Sequence, residues 1–191
     1  MPTWAWIVIV VVAALIVLGA VAMWMQQKKR SQLQERFGSE YDRTVAERDN
    51  RRAAEKELAE RERKREQLDI VPLSPEAQKE YSASWQQVQG QFVDDPSNAV
   101  TEADRLVTDV MRDRGYPIDD FEQRADDISV DHPDVVQNYR AAHAIYVKAS
   151  DGNDGNGGAG TEDLRQGFVH YRALFDELLE NGGRSREEAN R

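Results

Sequence analysis

An uninterrupted apolar run from Trp4 to Met25 constrains the fold more than any other feature of the sequence. As a helix this run would be about 33 Å long, which matches the roughly 30 Å hydrocarbon core of a bilayer. Aromatic rings are favoured at the membrane interface, and cations are favoured just beyond it. We therefore predict a transmembrane anchor over residues 1–30. The predicted anchoring residues are Trp4, Trp6, Trp24, Lys28, Lys29 and Arg30.

The charges on either side of the apolar run predict its orientation. No side chain before Trp4 is charged, whereas three cations follow the run within five residues of Met25. The positive-inside bias places such a cluster in the cytoplasm. We therefore predict a single-pass cell-membrane protein, with its N-terminus outside, its C-terminal domain in the cytoplasm and the lipid bilayer as a partner.

Two alternatives remain for the apolar run. Ala20-Val21-Ala22 resembles a signal-peptide cleavage site, and cleavage after Ala22 would release a secreted helical protein. However, no basic segment precedes the run, and the run is longer than the apolar core of about 7–15 residues that signal peptides have. The other alternative is an uncleaved anchor with the domain outside.

Composition narrows the possible functions of the remaining chain. The 191 residues include no Cys, which excludes disulfides and the common cysteine-based zinc and iron–sulfur sites. Residues 26–70 carry a net charge of +2, whereas residues 71–191 carry −12. Phosphate backbones repel a domain this acidic, so we expect no nucleic-acid partner.

Residues 31–72 have the composition of a charged helical spacer. Phe37-Gly38-Ser39 predicts a break, with Ser39 capping the next helix. From Tyr41 to Leu68 the chain is rich in charged residues and Ala, with Glu placed four residues before Arg or Lys. Such a helix can stand in water with little to bury. A dimerising coiled coil is the alternative, although a regular apolar seam is missing.

Residues 73–180 are predicted to form an acidic helical bundle of four main helices and one short helix. The predicted caps are Ser74, Asp94-Asp95 before Pro96, Asp119, and Asp131 or His132, and the last helix is predicted to begin at Thr161. Apolar residues recur at helical spacing, and no alternation with period two indicates a strand. The predicted fold class is therefore all-α, with a transmembrane helix, a charged helical spacer and a small antiparallel bundle. Residues 181–191, beginning with Asn181-Gly182-Gly183, are predicted to be a disordered tail.

His143 and His170 are the candidate metal ligands. They lie on two helices that are neighbours in the sequence, and antiparallel packing could bring the two imidazoles together. Two His and an acid would suffice for a metal site. The paired Glu-x-x-His motifs of di-iron bundles are missing, so hydrogen-bonded structural histidines are the simpler interpretation.

The segment from Asp151 to Gly160 partly matches a calcium loop. Asp151, Asn153 and Glu162 occupy the first, third and twelfth positions, but Gly155 offers no side-chain oxygen at the fifth. We therefore predict a flexible link here. The sequence also lacks a nucleophile elbow, a phosphate loop and a dinucleotide fingerprint. We predict no catalytic residue and no cofactor.

Several segments carry a resemblance to a protein family. These segments are RFGSEYDRTV, LDIVPLSPEA, FVDDPSNAVTEADRLVTDVMRDRGYP, DFEQRADDISVDHPDVVQNYRAAHAI and TEDLRQGFVHYRALFDELL. Together they resemble a family of bacterial proteins, chiefly actinobacterial, with one N-terminal membrane helix, a helical body and no known activity. The resemblance extends from about Arg36 to Leu179. It implies a bacterial origin and a single-pass layout, and it carries over no catalytic residue.

The sequence thus predicts a non-enzymatic, membrane-tethered helical interaction module. Its protein partner would be either an unknown protein or a second copy of the chain. The alternative functions are a membrane-bound metal-dependent enzyme using His143 and His170, and the secreted protein released after Ala22.

Overall fold

The computed structural model describes the backbone of residues 3–48, 50–151 and 158–189, and the side chains of residues 12–48, 50–150 and 158–180. Within these backbone ranges the chain forms eight helices and no strand, which confirms the all-α class. The helices are α1 (Thr3–Phe37), α2 (Ser39–Glu47), α3 (Arg51–Arg65), α4 (Pro75–Gln91), α5 (Pro96–Arg114), α6 (Phe121–Asp131), α7 (Val136–Asp151) and α8 (Thr161–Ala189).

The chain divides into two compact units, Met1–Ala59 and Glu60–Arg191. We call them unit 1 and unit 2. The division falls inside α3, within the segment that the composition marks as a spacer. The two compact units therefore do not meet at either end of the predicted spacer, residues 31–72.

The predicted transmembrane anchor is wrong. Within the described residues, no helix combines the length and the apolar character needed to cross a membrane. Helix α1 is longer than the apolar run, because it does not end at Met25. The same helix then continues through the polar residues Gln26 and Lys28 to Phe37. This finding also overturns the predicted single-pass localisation in the cell membrane.

The predicted break after α1 is confirmed, but its cap is different. Gly38 adopts a positive φ of 48° and occupies the N-cap position of α2, without a side-chain cap. Ser39, the predicted cap, is the first residue of the helix. Phe37 and Tyr41 on either side of this break are buried.

The predicted continuous helix from Tyr41 to Leu68 is interrupted. Arg48 is extended, with φ −104° and ψ 128°, and ends α2. The side-chain oxygen of Asn50 then accepts a hydrogen bond of 2.9 Å from the Arg52 amide, which caps α3. Ala54 and Leu58 of α3 are fully buried, so this segment is not solvated on every side.

Unit 2 is built around α5, which packs against α4, α7 and α8, while α7 also contacts α6 and α8. Two of the predicted caps are confirmed. Ser74 Oγ accepts a hydrogen bond of 3.1 Å from the Ala77 amide, and Asp95 Oδ1 accepts one of 3.1 Å from Asn98. These caps satisfy amides that lack a partner within the helix, and they fix where α4 and α5 begin.

Three helix ends in unit 2 differ from the predictions. Asp120 and not Asp119 caps α6, and α7 begins at Val136, after a turn that follows Pro133. The last helix begins at Thr161 as predicted but continues to Ala189, past the end predicted at Asn181. A glycine costs a helix only about 1 kcal/mol, so the two glycines after Asn181 do not force an end.

An aromatic stack fills the core of unit 2. The Trp85 ring of α4 stacks on Phe168 and Phe175 of α8, at centroid distances of 5.0 and 4.6 Å. Tyr139 of α7 and Tyr171 of α8 are fully buried beside each other, with centroids 6.4 Å apart. Because these phenols are polar, each needs a buried partner, and these partners form the polar cluster described next.

Candidate functional site

Side chains from α5, α6, α7 and α8 meet around His143. The His143 ring stacks on Phe121 at 3.6 Å between centroids and 8° between planes. Its Nδ1 lies 3.8 Å from Asp104 Oδ1, which also accepts a hydrogen bond of 2.7 Å from the Tyr171 hydroxyl. Asp104 is thus the centre of this group. We call it the His143 cluster, and its members are Asp104, Phe121, Arg124, Tyr139, His143 and Tyr171.

The two tyrosines of the His143 cluster are hydrogen-bonding groups and not acids. Arg124 Nε donates to the Tyr139 hydroxyl at 3.0 Å, and burial raises the pKa of Tyr139 to about 12. Burial, and then the charge of Asp104, raise the pKa of Tyr171 well above its usual value of 10. Both phenols are therefore protonated at neutral pH, and the Tyr171 hydroxyl ties α8 to α5.

The histidines predicted as metal ligands lie in different surroundings. The recorded neighbours of His143 are Asp104, Phe121 and Tyr146, while His170 is half-buried on α8. No group of three or more His, Asp or Glu suited to a metal ion occurs among the described residues. The metal-dependent alternative stays a prediction. Most of the segment weighed as a calcium loop, residues 152–157, lies outside the described residues.

A second polar cluster joins α6 to α3 and α7 within unit 2. Asp126 Oδ1 lies 2.9 Å from Arg61 Nη2 and 3.3 Å from Arg140 Nη2. Asp131 pairs with Arg65 and accepts a hydrogen bond of 2.7 Å from the Tyr116 hydroxyl. Sequence patterns did not reveal these pairs, because the partners lie on different helices and no local spacing connects them.

Two buried titratable groups lie beside this second cluster. Burial raises the pKa of Asp127, whose Oδ1 accepts a hydrogen bond of 2.9 Å from Gln123. Its Oδ2 has no hydrogen-bond partner among the described residues. Burial lowers the pKa of His132, although its Nδ1 lies 3.2 Å from Glu177 Oε1. Burial removes water from both groups and so disfavours the charged form of each.

Unit 1 contains a basic pocket, formed by α1 and the first turns of α3. Its volume is about 490 Å³, and three arginines, Arg30, Arg51 and Arg52, line it together with Gln26 and Gln27. Sequence analysis singled out only Arg30 of these residues. Neither Arg51 nor Arg52 was predicted as a site residue, because the break that creates the start of α3 was not predicted.

The residues predicted to anchor α1 are only partly described. Trp4 and Trp6 precede the described side chains. Trp24 is 64% exposed, and the Lys28 ammonium lies 5.6 Å from the centre of its ring, at cation–π distance. Lys29 is exposed and Arg30 is half-buried. Their predicted anchoring role stays untested.

The chain matches no family model, no curated protein and no solved structure. The resemblance to an actinobacterial family therefore stays a prediction. The features that bear on function are the exposed apolar part of α1, the basic pocket of unit 1 and the polar clusters of unit 2.

Proposed function

We propose that this chain is a non-enzymatic helical interaction module that self-associates through the apolar part of α1. The observation that carries this proposal is a run of large apolar side chains, each between 47% and 76% exposed. They are Val12, Leu15, Ile16, Val17, Leu18, Val21, Met23, Trp24 and Met25. Contiguous apolar surface of this kind is typical of an interaction site.

The distribution of the exposed side chains favours several copies over one small partner. Leu15, Ile16, Val17 and Leu18 are consecutive, and successive helical residues point about 100° apart. Their apolar surface therefore extends around the whole helix. A partner strand or helix covers one side only, whereas further copies of α1 offer the same apolar surface on every side. Each Leu or Ile that becomes fully buried contributes about 1.5–3 kcal/mol.

The polar groups of unit 2 support a role without catalysis. In the His143 cluster, the Asp104 carboxylate is occupied by Tyr171, and the Tyr139 hydroxyl accepts from Arg124. In the second cluster, Asp126 joins three helices through Arg61 and Arg140. These contacts stabilise the packing of the helices. The polar groups therefore have a structural role, which suits a module that works by association.

Sedimentation equilibrium of the full chain tests the proposal. We expect a discrete oligomer for the wild type and a monomer for the double variant Leu15→Glu/Leu18→Glu, because charges on α1 oppose burial of the helix. Val93→Glu is the matched control, since Val93 is 84% exposed, belongs to the connection between α4 and α5 and should leave the mass unchanged. A monomeric wild type, or an oligomer that survives the double substitution, contradicts the proposal.

A further inference from the structure

We propose that the basic pocket of unit 1 binds a compact ligand bearing a phosphate group with at least two negative charges. The pocket volume of about 490 Å³ lies within the range of about 300–1,000 Å³ that small-molecule sites have. Arg30 of α1 lines this volume together with Arg51 and Arg52 of α3. Met23 belongs both to this lining and to the exposed apolar part of α1, whereas the charged and amide residues of the lining lie outside that part.

The described residues leave the charges of the pocket largely unmatched. Among the described residues, neither Arg51 nor Arg52 takes part in an ion pair. Arg30 hydrogen-bonds with the Tyr41 hydroxyl, which is neutral. The one carboxylate on the lining, Glu55, accepts a hydrogen bond of 3.0 Å from the same hydroxyl. Three cations and one anion leave the pocket with an excess of two positive charges.

The donors on the lining suit phosphate oxygens. A guanidinium offers several N–H groups in a planar fork that matches phosphate, and two such forks come from neighbouring residues at the start of α3. The positive end of the α3 dipole lies at the same place and adds to the attraction. The amides of Gln26 and Gln27 supply neutral donors on the α1 side. Several donor-bearing side chains therefore line one volume.

Calorimetric titration of the full chain with inorganic pyrophosphate tests the site. We expect saturable binding to the wild type and an affinity lowered about tenfold or more in Arg51→Gln/Arg52→Gln, because two exposed cations of the lining are lost. Arg63→Gln/Lys79→Gln is the matched control, since it removes the same charge from exposed positions on α3 and α4. We expect the control to keep the wild-type affinity within about twofold, because neither residue lines the pocket.

We expect Glu55→Gln to raise the affinity for pyrophosphate, whereas the arginine substitutions lower it. The substitution removes the carboxylate from the lining, while the amide oxygen can still accept the Tyr41 hydrogen bond. We expect pyrophosphate to bind about threefold more tightly. Damage to the fold would weaken binding, so this gain separates the loss of a repelling charge from a structural effect.

The phosphate group can belong to a free metabolite or to a lipid headgroup, and a second titration separates these sources. Soluble glycerol phosphate is compared with phosphatidylcholine vesicles that contain or lack phosphatidic acid. Binding that Arg51→Gln/Arg52→Gln abolishes supports the site, and the ligand that shows it identifies the source. The proposal is overturned if no phosphate compound binds the wild type, or if the control variant loses affinity as much as the site variant.

Discussion

Gly115 shapes the connection that follows α5. It adopts a left-handed φ of 96°, and a Cβ added there would lie 2.5 Å from the Asp69 carbonyl oxygen. A side chain costs about 1–2 kcal/mol in this conformation even without the clash. We expect Gly115→Ala to lower the free energy of unfolding by about 2 kcal/mol or more in urea denaturation.

Gly90→Ala is the control for this substitution. Gly90 lies within α4, and an added Cβ would contact nothing within 4 Å. We expect a gain of about 0.5–1 kcal/mol, because alanine favours helix more than glycine does. If Gly115→Ala and Gly90→Ala changed the free energy of unfolding equally, a side chain at position 115 would not strain the turn, and the prediction would be wrong.

Adjacent carboxylates on α6 should respond to neutralisation in opposite directions. Burial raises the pKa of Asp127 above 3.8, so the native state holds its proton at higher pH than the unfolded state does. The contribution of Asp127 to the free energy of unfolding therefore falls as pH rises above the pKa that this carboxyl has in the unfolded chain. We expect Asp127→Asn to raise the free energy of unfolding by about 1 kcal/mol at pH 7. Asp126→Asn should instead destabilise by about 1 kcal/mol or more, since Arg61 and Arg140 lose charge pairing.

Thermal melting at two pH values checks this contrast. At pH 7 the melting temperature should rise for Asp127→Asn and fall for Asp126→Asn. Below about pH 3.8 the gain of Asp127→Asn should disappear, because the carboxyl of the wild type is then protonated in both states. A gain that persists in acid would come from packing and not from charge.

His132 should make the stability of unit 2 sensitive to mild acid. Burial lowers its pKa below 6.5, while Glu177 and Asp131 partly oppose this effect and Arg114 adds to it. The unfolded chain therefore takes up the proton first, and stability falls as pH decreases through 6.5, by at most about 1.4 kcal/mol per pH unit. His132→Gln should flatten the profile of unfolding free energy against pH between pH 7 and 5, as measured by urea denaturation.

At the scale of the element, the same substitution of serine by alanine can be compared at the start and in the middle of α4. Ser74 caps the helix by accepting the Ala77 amide, whereas Ser84 lies mid-helix, where its hydroxyl donates to the Glu80 carbonyl. We expect Ser74→Ala to cost about 1 kcal/mol and Ser84→Ala to stabilise by a few tenths of a kcal/mol. Chemical denaturation measures both, and a loss at Ser84 would contradict the capping argument.

Local signals in the sequence predicted most of unit 2. The caps at Ser74 and Asp95, and the glycine after α5, depend on neighbouring residues only, so they can be recognised without a structure. The helical spacing of apolar residues likewise predicted helices, and Trp85 and Phe175 lie in their core. The predicted start of a helix was wrong where two possible capping residues are adjacent, as at Asp119 and Asp120.

Contacts between helices were not predictable in the same way. The hydrogen bond from Tyr171 to Asp104 joins residues 67 positions apart, and nothing in the local pattern marks Asp104 as its acceptor. The basic pocket depends on the break at Arg48, which lies in a stretch of strong helix formers. The apolar run predicted the helical state of α1 but not where that helix ends.

At the scale of the whole molecule, the distribution of charge should exclude nucleic acids. The chain carries a formal net charge of −10, and most of the excess acid lies in unit 2. An excess of carboxylates repels phosphate backbones and leaves few cations to neutralise them. We expect no retardation of random duplex DNA in an electrophoretic mobility assay, with a basic protein of similar size as the positive control. Retardation at physiological salt would contradict the predicted absence of a nucleic-acid partner.

The position of α8 has a consequence for how the protein is made. This helix contributes Phe168, Tyr171 and Phe175 to the core, and it packs against α5, which the ribosome produces about fifty residues earlier. Until α8 leaves the exit tunnel, Trp85 lacks both of its stacking rings and Asp104 lacks its phenol. The nascent bundle therefore cannot close during most of translation, and chains that stop before α8 should be substrates for chaperones and proteases.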